Sequence, residues 1–265
     1  MEPVDIERRF GGMSRLYGPQ AAQRLQEAHV AVAGIGGVGS WCAEALARSG
    51  VGSLTLIDLD NIAESNINRQ LHALSNTLGQ AKVLAMKERI AQINPHCIVN
   101  VQEDFVEPGN VQDLVPDQVQ VLIDCTDQIS AKIAMILLGR QRRMPVIVCG
   151  GAGGKTDPLM LRSGDLSRAS NDALLSKLRN TLRRQHGFPR ASDAAGKVRK
   201  RIPAMQVQCL WFDQPALLPD AWVQSGEADA LQGLSCAGYG SAVAITAMMG
   251  FAAANEAMQR LMQGK

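Results

Sequence analysis

Residues 30–39 read VAVAGIGGVG, an apolar strand that runs directly into a glycine-rich turn. Glycines between a strand and a helix let backbone N–H groups approach a phosphate, and the helix N-terminus favours its negative charge. The segment therefore predicts a nucleotide site immediately after the first strand. The glycines predicted to contact the nucleotide are Gly34, Gly36, Gly37 and Gly39.

A second apolar strand, residues 53–58, ends in Asp58-Leu59-Asp60, and a polar segment, SNINRQ, follows at residues 65–70. An acidic residue about 20 positions after the glycines is where a ribose hydroxyl would be bound. A guanidinium and an ammonium in the next 25 or so residues can converge on a triphosphate, which carries more charge than NAD does. The side chains predicted to bind ATP here are Asp58, Asp60, Asn66, Arg69, Gln70 and Lys82.

Asp127 follows another apolar run that ends in Asp124-Cys125-Thr126. Ligands collect at the carboxyl edge of parallel sheets, and a carboxylate there can hold Mg²⁺ against phosphate oxygens. We therefore predict that Asp127 binds both ATP and Mg²⁺ and that Arg69, Lys82 and Asp127 form the catalytic group. A purely structural alternative is that Asp127 caps the helix that starts near Ile129.

Short apolar runs alternate with helical periodicity through the first half of the chain, which predicts a Rossmann-like, doubly wound α/β fold with a mainly parallel sheet. We expect an ATP-binding core at residues 1–154, and further strands at residues 159–163 and 204–212. A mixed C-terminal extension, residues 155–265, is expected to pack on the same domain. It contains a substrate-contacting segment at residues 173–201 and an apolar helix at residues 238–262.

The chain has 265 residues, a formal net charge of +2 and six cysteines without a C-x-x-C pair. The spacing predicts reduced thiols and no structural zinc. The first ten residues have no apolar stretch typical of a signal peptide, so we expect a cytoplasmic protein. Residues 237–254 carry no charge and lie at the lower length limit of a membrane span, which leaves membrane association as an alternative.

The motifs described above, together with GQAK at residues 79–82, INP at 93–95 and DCTD at 124–127, resemble the adenylating domain of the ubiquitin-activating-enzyme superfamily. Its bacterial members include activators of sulfur-carrier proteins. The resemblance covers residues 8–154 and implies that ATP converts a carboxylate to an acyl-adenylate. It also implies a homodimer in which an N-terminal arginine, Arg9 or Arg15, reaches the partner's ATP site; Arg15 is our prediction.

Within that superfamily, residues 9–18, 150–158 and 236–240 are similar to the subgroup that dehydrates threonylcarbamoyladenosine in tRNA. The resemblance implies ATP-dependent cyclisation of that nucleoside, with tRNA as a partner. Cys236 precedes a predicted helix, where a thiolate would be stabilised, so it is a candidate catalytic residue and a candidate contact for a cysteine-desulfurase or sulfur-acceptor system. A small buried residue in a glycine-rich turn is an equally good interpretation of Cys236.

Residues 177–201 contain nine cationic side chains and one carboxylate, Asp193. Such a run is often only a solvated face, but beside a predicted loop it also suits a phosphate backbone. The residues predicted to bind tRNA are Lys177, Arg183, Arg184, Arg199, Lys200 and Arg201.

Three other functions fit parts of the pattern. The first is an adenylyltransferase for a sulfur-carrier or ubiquitin-like protein, whose usual zinc-binding cysteine pairs are missing here. The second is an NAD(P)-dependent oxidoreductase, which would leave Arg69, Lys82 and Asp127 without a joint role. The third is a non-enzymatic nucleotide-binding scaffold, which a full set of site residues disfavours.

Overall fold

The computed structural model describes residues 5–193, 196–197, 199–218 and 239–263. One sheet runs through the described residues, and its first five strands in chain order are parallel. The strands are β1 (His29–Ala33), β2 (Ser53–Ile57), β3 (Ile98–Gln102), β4 (Val121–Asp124), β5 (Val146–Cys149), β6 (Leu161–Asp165) and β7 (Gln208–Phe212).

The strand order is β3-β2-β1-β4-β5-β7-β6. The order reverses between β1 and β4, so the two halves of the sheet wind in opposite directions and leave a crevice between them. β7 pairs in parallel with β5, and β6 closes the edge antiparallel to β7. The predicted doubly wound, mainly parallel fold is confirmed, and the C-terminal extension continues the same sheet.

Helices cover both faces of the sheet. They are α1 (Ile6–Tyr17), α2 (Pro19–Gln26), α3 (Gly39–Arg48), α4 (Lys82–Ile93), α5 (Val111–Leu114), α6 (Ile129–Arg142), α7 (Ala173–Gln185) and α8 (Val243–Gln263). One core lies between the sheet and α3, α4 and α8, and a second lies under α5 and α6. A third joins α6 and α7 to β5 and β7. The central strands are buried on both faces, which is why they are almost uninterrupted apolar runs.

Two of the expected strands begin later than expected because side-chain carboxylates bind the backbone N–H groups before them. The expected strand at residues 204–212 begins only at Gln208, because the N–H groups of Met205 and Val207 donate to the Asp165 carboxylate instead of to a neighbouring strand. The strand expected at residues 159–163 begins at Leu161, because Pro158–Met160 forms a 3₁₀ turn whose N-terminus Asp157 caps. In both places a local carboxylate competes with the ladder for backbone donors.

The apolar C-terminal helix begins at Val243, five residues later than the predicted start at 238. It packs along α3, and Gly250 makes this possible, since a Cβ there would lie 2.5 Å from the carbonyl oxygen of Val38. Its lack of charge therefore reflects burial against another helix. No helix in the described part of the chain has the length and apolar character needed to cross a bilayer.

Gly39 is the position at which α3 comes closest to the end of β1. A Cβ on residue 39 would lie 1.8 Å from the carbonyl oxygen of Gly34, so the two segments would have to separate. We predict that Gly39→Ala lowers the free energy of unfolding by about 3 kcal/mol, measured by urea denaturation. Gly109→Ala is the matched control, because nothing lies within 4 Å of the point that a Cβ would occupy there; an equal loss in both variants would contradict this packing role.

Candidate nucleotide site

A cavity of about 470 Å³ opens at the carboxyl ends of the parallel strands, where the strand order reverses. The loops after β1, β2, β4 and β5 form its walls, and α8 contributes one side. The structure brings most of the predicted ATP-binding residues together around this cavity. Those that line it are Gly34, Gly36, Gly37, Asp58, Asp60, Asn66, Arg69, Gln70, Lys82 and Asp127.

The glycines have different roles in this loop. Gly34 has φ +83° and lies so close to the Cys125 carbonyl that a Cβ would be 2.9 Å from it. At Gly36 a Cβ would meet only Gln70 Nε2, at 3.8 Å, so the backbone faces open space that a ligand can occupy. Gly39, predicted to contact the nucleotide, is not among the cavity-lining residues, and its side-chain space is filled by the Gly34 carbonyl.

Side chains hydrogen-bond to both backbone polar groups of Ile35, which lies at the centre of the glycine turn. The Ile35 N–H donates to Asp58 Oδ2 at 2.6 Å, and the Ile35 carbonyl oxygen lies 2.8 Å from His72 Nε2. Because a carbonyl can only accept, His72 carries its proton on Nε2. Burial lowers the pKa of His72 to about 4, so the ring is neutral near pH 7. The turn is therefore fixed from two sides before any ligand binds.

Asp58 connects the turn to the predicted ribose position. Its Oδ1 accepts from the N–H of Asp60 at 2.9 Å, and each carboxylate oxygen retains a further lone pair for a ligand hydroxyl. Burial raises the pKa of Asp58, although the positive charge of Lys82 and the two N–H donors oppose that rise. Lys82 is buried, and its Nζ lies 2.6 Å from Asp60 Oδ2 and 3.9 Å from Asp58 Oδ1. The ammonium is thus held in place beside the turn.

The polar segment after β2 forms a short 3₁₀ helix, Glu64–Asn66, followed by Arg69 at the rim of the cavity. The Arg69 Nη1 group donates to the Ser65 carbonyl at 2.8 Å and to Asn68 Oδ1 at 2.9 Å, which leaves other guanidinium N–H groups for an anion. Gln70 is buried, and its Oε1 has no hydrogen-bond partner among the described residues. An unpaired buried amide oxygen beside an open cavity indicates that a ligand or water completes its bonding.

Asp127 is exposed at the cavity mouth. Helix α6 has Gln128 as its N-cap residue, without a side-chain capping bond, so the structure does not support the capping alternative for Asp127. The turn that carries Asp127 is anchored from below by Asp124, whose Oδ1 accepts from the Thr126 N–H and hydroxyl groups. An exposed carboxylate at the mouth of this cavity has the donor chemistry that suits Mg²⁺.

The anchor itself is a fully buried ion pair that no local sequence pattern indicated. Lys132 Nζ lies 3.2 Å from Asp124 Oδ2 and donates to the Cys149 carbonyl at 2.7 Å. Burial raises the pKa of Asp124. Burial alone would lower the pKa of Lys132, but the attraction and hydrogen bond of Asp124, together with the nearby Cys149 and Cys125, outweigh this effect and raise the pKa. The pair ties α6 to the ends of β4 and β5.

Helix α8 and the residues just before it also contribute to the cavity, although they lie far along the chain from the other lining loops. Ser241 and Thr246 line it, the Asn68 side chain donates to the Ser241 carbonyl at 2.8 Å, and Thr246 Oγ1 lies 3.4 Å from the Arg69 carbonyl oxygen. The C-terminal part of the chain thus positions the arginine loop.

A profile described as the ThiF family matches residues 11–265. The chain belongs to the ThiF family. Over 262 residues, the ThiF-family protein is 41% identical to a tRNA threonylcarbamoyladenosine dehydratase of Haemophilus influenzae, covering 98% of this chain and 96% of the relative. The family assignment agrees with the adenylating superfamily indicated by the sequence motifs.

The fold agreement is equally extensive. A crystal structure of the E. coli tRNA N6-threonylcarbamoyladenosine dehydratase in complex with ATP superposes with a TM-score of 0.83 at 39% identity, covering 97% of this chain and 95% of that one. A molybdopterin-synthase adenylyltransferase of Salmonella typhimurium is 35% identical over 113 residues, which is 43% of this chain. The similarity to these two dehydratases thus covers nearly the whole chain, whereas the similarity to this adenylyltransferase covers less than half of it.

The remaining predicted residues of the ThiF-family protein lie away from the cavity or outside the described residues. Arg15 is exposed on α1. Arg9, the other candidate, donates to the carbonyls of Gln92 and Ile93 at the end of α4. Cys236 lies outside the described residues. The described residues contain no group of three or more His, Cys, Asp or Glu side chains that could hold a metal ion, and the expectation about zinc stays a prediction.

The predicted tRNA-binding cations differ in their surroundings. Lys177 and Arg184 are exposed on α7, whereas Arg183 is half-buried and its Nε donates to the Pro189 carbonyl at 3.1 Å. Arg199, Lys200 and Arg201 are exposed, and Arg199 Nε donates to the Ser192 carbonyl at 3.3 Å. Leu174 lines the cavity, so the N-terminus of α7 lies at the candidate nucleotide site. The cations of α7 lie further along the helix, outside the cavity lining.

Lys132→Met tests the buried anchor, because it leaves the Asp124 carboxylate without its cation. We predict a loss of about 3–5 kcal/mol in the free energy of unfolding at pH 7.5. The difference in the free energy of unfolding between variant and wild type should be smaller at pH 5. The pKa of Asp124 is raised in the folded state, so the folded protein gains a proton on this carboxyl as the pH falls, and the buried charge disappears. Urea denaturation at both pH values is the measurement, with Lys87→Met, at an exposed position, as control. A deficit that does not depend on pH would contradict the assignment.

Proposed function

We propose that this ThiF-family protein is an ATP-dependent tRNA threonylcarbamoyladenosine dehydratase. One observation carries the proposal: a single cavity unites a pre-fixed glycine turn, an acidic ribose contact, two cations and an exposed carboxylate. The chain around it matches dehydratases of that name along nearly its whole length. A sulfur-carrier adenylyltransferase would not account for a similarity to dehydratases that covers nearly the whole chain.

The reaction requires an activated carboxylate, because a carboxylate oxygen is a poor leaving group. In the proposed first step, the carboxylate of the threonylcarbamoyl group attacks the α-phosphorus of ATP, and pyrophosphate leaves. The carbamoyl group of the same nucleoside then attacks the acyl-adenylate carbonyl, and AMP leaves with the former carboxylate oxygen. The nucleoside thus closes to a ring with the net loss of one water, and no enzyme nucleophile is needed.

The chain's residues serve this chemistry by holding charge and geometry. The backbone at Gly36 borders open space in the cavity, and we assign the N–H groups of this turn to the phosphate oxygens. Asp58 accepts from the ribose, and Arg69 and Lys82 neutralise phosphate charge. Both cations are already oriented by partners, so little ordering is needed when the nucleotide binds.

Asp127 is the proposed Mg²⁺ ligand, and the bound ion would neutralise charge on the phosphate oxygens. Asp127 also stands at the mouth, where the tRNA nucleoside must enter. The anchored turn behind it, fixed by Asp124 and Lys132, keeps this carboxylate in one position relative to the glycine turn.

Other parts of the proposal concern the surroundings of the enzyme. We propose a cytoplasmic homodimer in which Arg15 approaches the partner's site, with tRNA bound along the cations of α7 and residues 199–201. A sulfur-acceptor partner contacting Cys236 belongs to the same proposal. Residues 1–154 would then act as the adenylating core and residues 155–265 as the substrate-contacting extension.

The reaction is tested by single-turnover incubation with ATP, Mg²⁺ and tRNA that carries threonylcarbamoyladenosine, followed by mass spectrometry of the nucleosides. We expect one water to be lost from that nucleoside, with one AMP formed for each. Arg69→Ala should abolish both changes with an unchanged melting temperature, because the side chain is partly exposed. Full activity of Arg69→Ala would show that Arg69 is not part of the site. An unchanged nucleoside, together with AMP transfer to a small carrier protein, would favour the adenylyltransferase.

His72 should act as a positioning residue for the glycine turn. We predict that His72→Ala raises the KM for ATP about tenfold, because the Ile35 peptide is no longer held, while the KM for tRNA stays near the wild-type value. His72→Gln places an amide N–H near the Nε2 position and should restore most of the ATP affinity.

The control for His72 is Asn94→Ala at the far end of α4. This substitution also removes a buried side-chain donor to a backbone carbonyl, Asn94 Nδ2 to Val51 at 3.1 Å, but away from the cavity. It should lower the melting temperature without changing the KM for ATP. The same KM for ATP in His72→Ala and wild type would show that the turn does not depend on this bond.

A further inference from the structure

A second groove, of about 440 Å³, lies at the opposite edge of the sheet from the nucleotide cavity, where β5 and β7 begin. We call it the arginine groove. Three exposed arginines line it: Arg140 on α6, Arg143 just after α6, and Arg260 near the end of α8. Arg140 and Arg143 are close in sequence, whereas Arg260 lies more than 100 positions further along the chain, and only the fold brings it beside them.

The groove has an excess of positive charge. Among the described residues that line the groove, the acidic one is Asp165, and its carboxylate already accepts three backbone hydrogen bonds. Oδ1 accepts from the N–H groups of Ser167 and Met205, and Oδ2 accepts from the N–H group of Val207. The described residues that line the groove thus include three guanidinium groups and one carboxylate, so their net charge is positive. Arginine is the residue best suited to phosphate, since its planar fork can donate two parallel hydrogen bonds.

Two lining residues have backbone conformations that favour glycine. Arg143 has φ 53° at the C-cap of α6, a position that glycine usually fills, and Gln206 has φ 58°. An arginine in a place where glycine would be less strained is a reason to look for a function of its side chain.

The groove is continuous with the basic segment that the sequence indicated. The Arg140 guanidinium lies 4.5 Å from the centre of the Phe188 ring, and Phe188 follows α7 directly. Helix α7 has 13 residues and therefore spans about 20 Å, from Leu174 in the nucleotide cavity toward this groove. A ligand that reaches both sites must carry phosphates about 20 Å or more from its reacting group.

We propose that the arginine groove binds the phosphate backbone of the tRNA stem while the modified nucleotide occupies the nucleotide cavity. This inference rests on the proposed function. A nucleic acid helix fits because its phosphates repeat along the required distance, whereas a small anion would use one site only. The arginines thus extend the predicted tRNA surface from α7 to the far edge of the sheet.

Arg143→Gly is the sharpest test, because a role in RNA binding and a role in folding predict opposite results. Glycine relieves the left-handed backbone, so the melting temperature should stay level or rise by about 2 °C. Without the cation, tRNA binding should weaken roughly fivefold at ~100 mM NaCl. The slope of log K against log salt should fall by about 0.9 for each phosphate that the variant no longer binds.

Arg140→Gln and Arg260→Gln should weaken binding in the same way, and the triple variant should weaken it further. The matched control is Arg142→Gln, on the same helix. Arg142 is tied to the Asp117 carboxylate at 2.9 Å and to the Val115 carbonyl at 2.6 Å, outside the groove. This control removes one positive charge but should leave the tRNA affinity and its salt slope unchanged. The KM for ATP should stay at the wild-type value in each of these variants.

Wild-type tRNA affinity and salt slope in Arg143→Gly and in the triple variant would overturn the proposal. So would a melting-temperature rise with ~10 mM inorganic phosphate that Arg143→Gly abolishes while tRNA binding is unaffected, since the groove would then be a small-anion site. Failure of the proposed function is a separate result: wild-type protein would bind tRNA through the groove but cause no loss of water from its nucleoside.

Discussion

The close approach of α3 to its two neighbours is the constraint on which the rest of the structure depends. On one side, a Cβ at Gly39 would lie 1.8 Å from the Gly34 carbonyl oxygen. On the other, Gly250 of α8 brings that helix against the Val38 carbonyl oxygen at a distance no side chain permits. Because both contacts exclude a Cβ, α3 starts directly above β1, and its N-terminus points into the cavity. The same packing brings α8 close enough to touch the arginine loop.

The polar network follows from that packing. Once the glycine turn is held close to the sheet, its Ile35 peptide needs partners for both polar groups, and Asp58 and His72 supply them. A second anchor, the buried Asp124–Lys132 pair, fixes the neighbouring turn that bears Asp127. Buried ion pairs contribute little to net stability but require a precise geometry. The two turns therefore present their ligand groups in fixed positions, which suits chemistry that depends on alignment more than on a nucleophile.

The two edges of the sheet are suited to different kinds of anionic ligand. At the carboxyl edge, Arg69 and Lys82 lie with the glycine turn around one cavity, as a nucleotide requires. At the opposite edge, exposed arginines line an open groove, as a long polyanion would require. Helix α7 runs between the two edges. A substrate bound at both edges would make many weak phosphate contacts far from its reacting group and a few precisely positioned contacts beside that group.

The parallel strands, the helices between them and ten of the residues that line the cavity can be predicted from the sequence alone, because each follows from a local pattern: an apolar run, a glycine turn, or polar residues directly after a strand. The sequence also indicated the superfamily. Contacts between distant segments could not be read in this way. His72, Lys132, Thr246 and the arginines of the groove have their roles only because the fold places them beside residues far away in the chain. The packing of α8, the late start of β7 and the structural role of Gly39 were likewise decided by tertiary contacts, since hydrogen bonds and excluded volume between remote segments leave no periodic signal in the sequence.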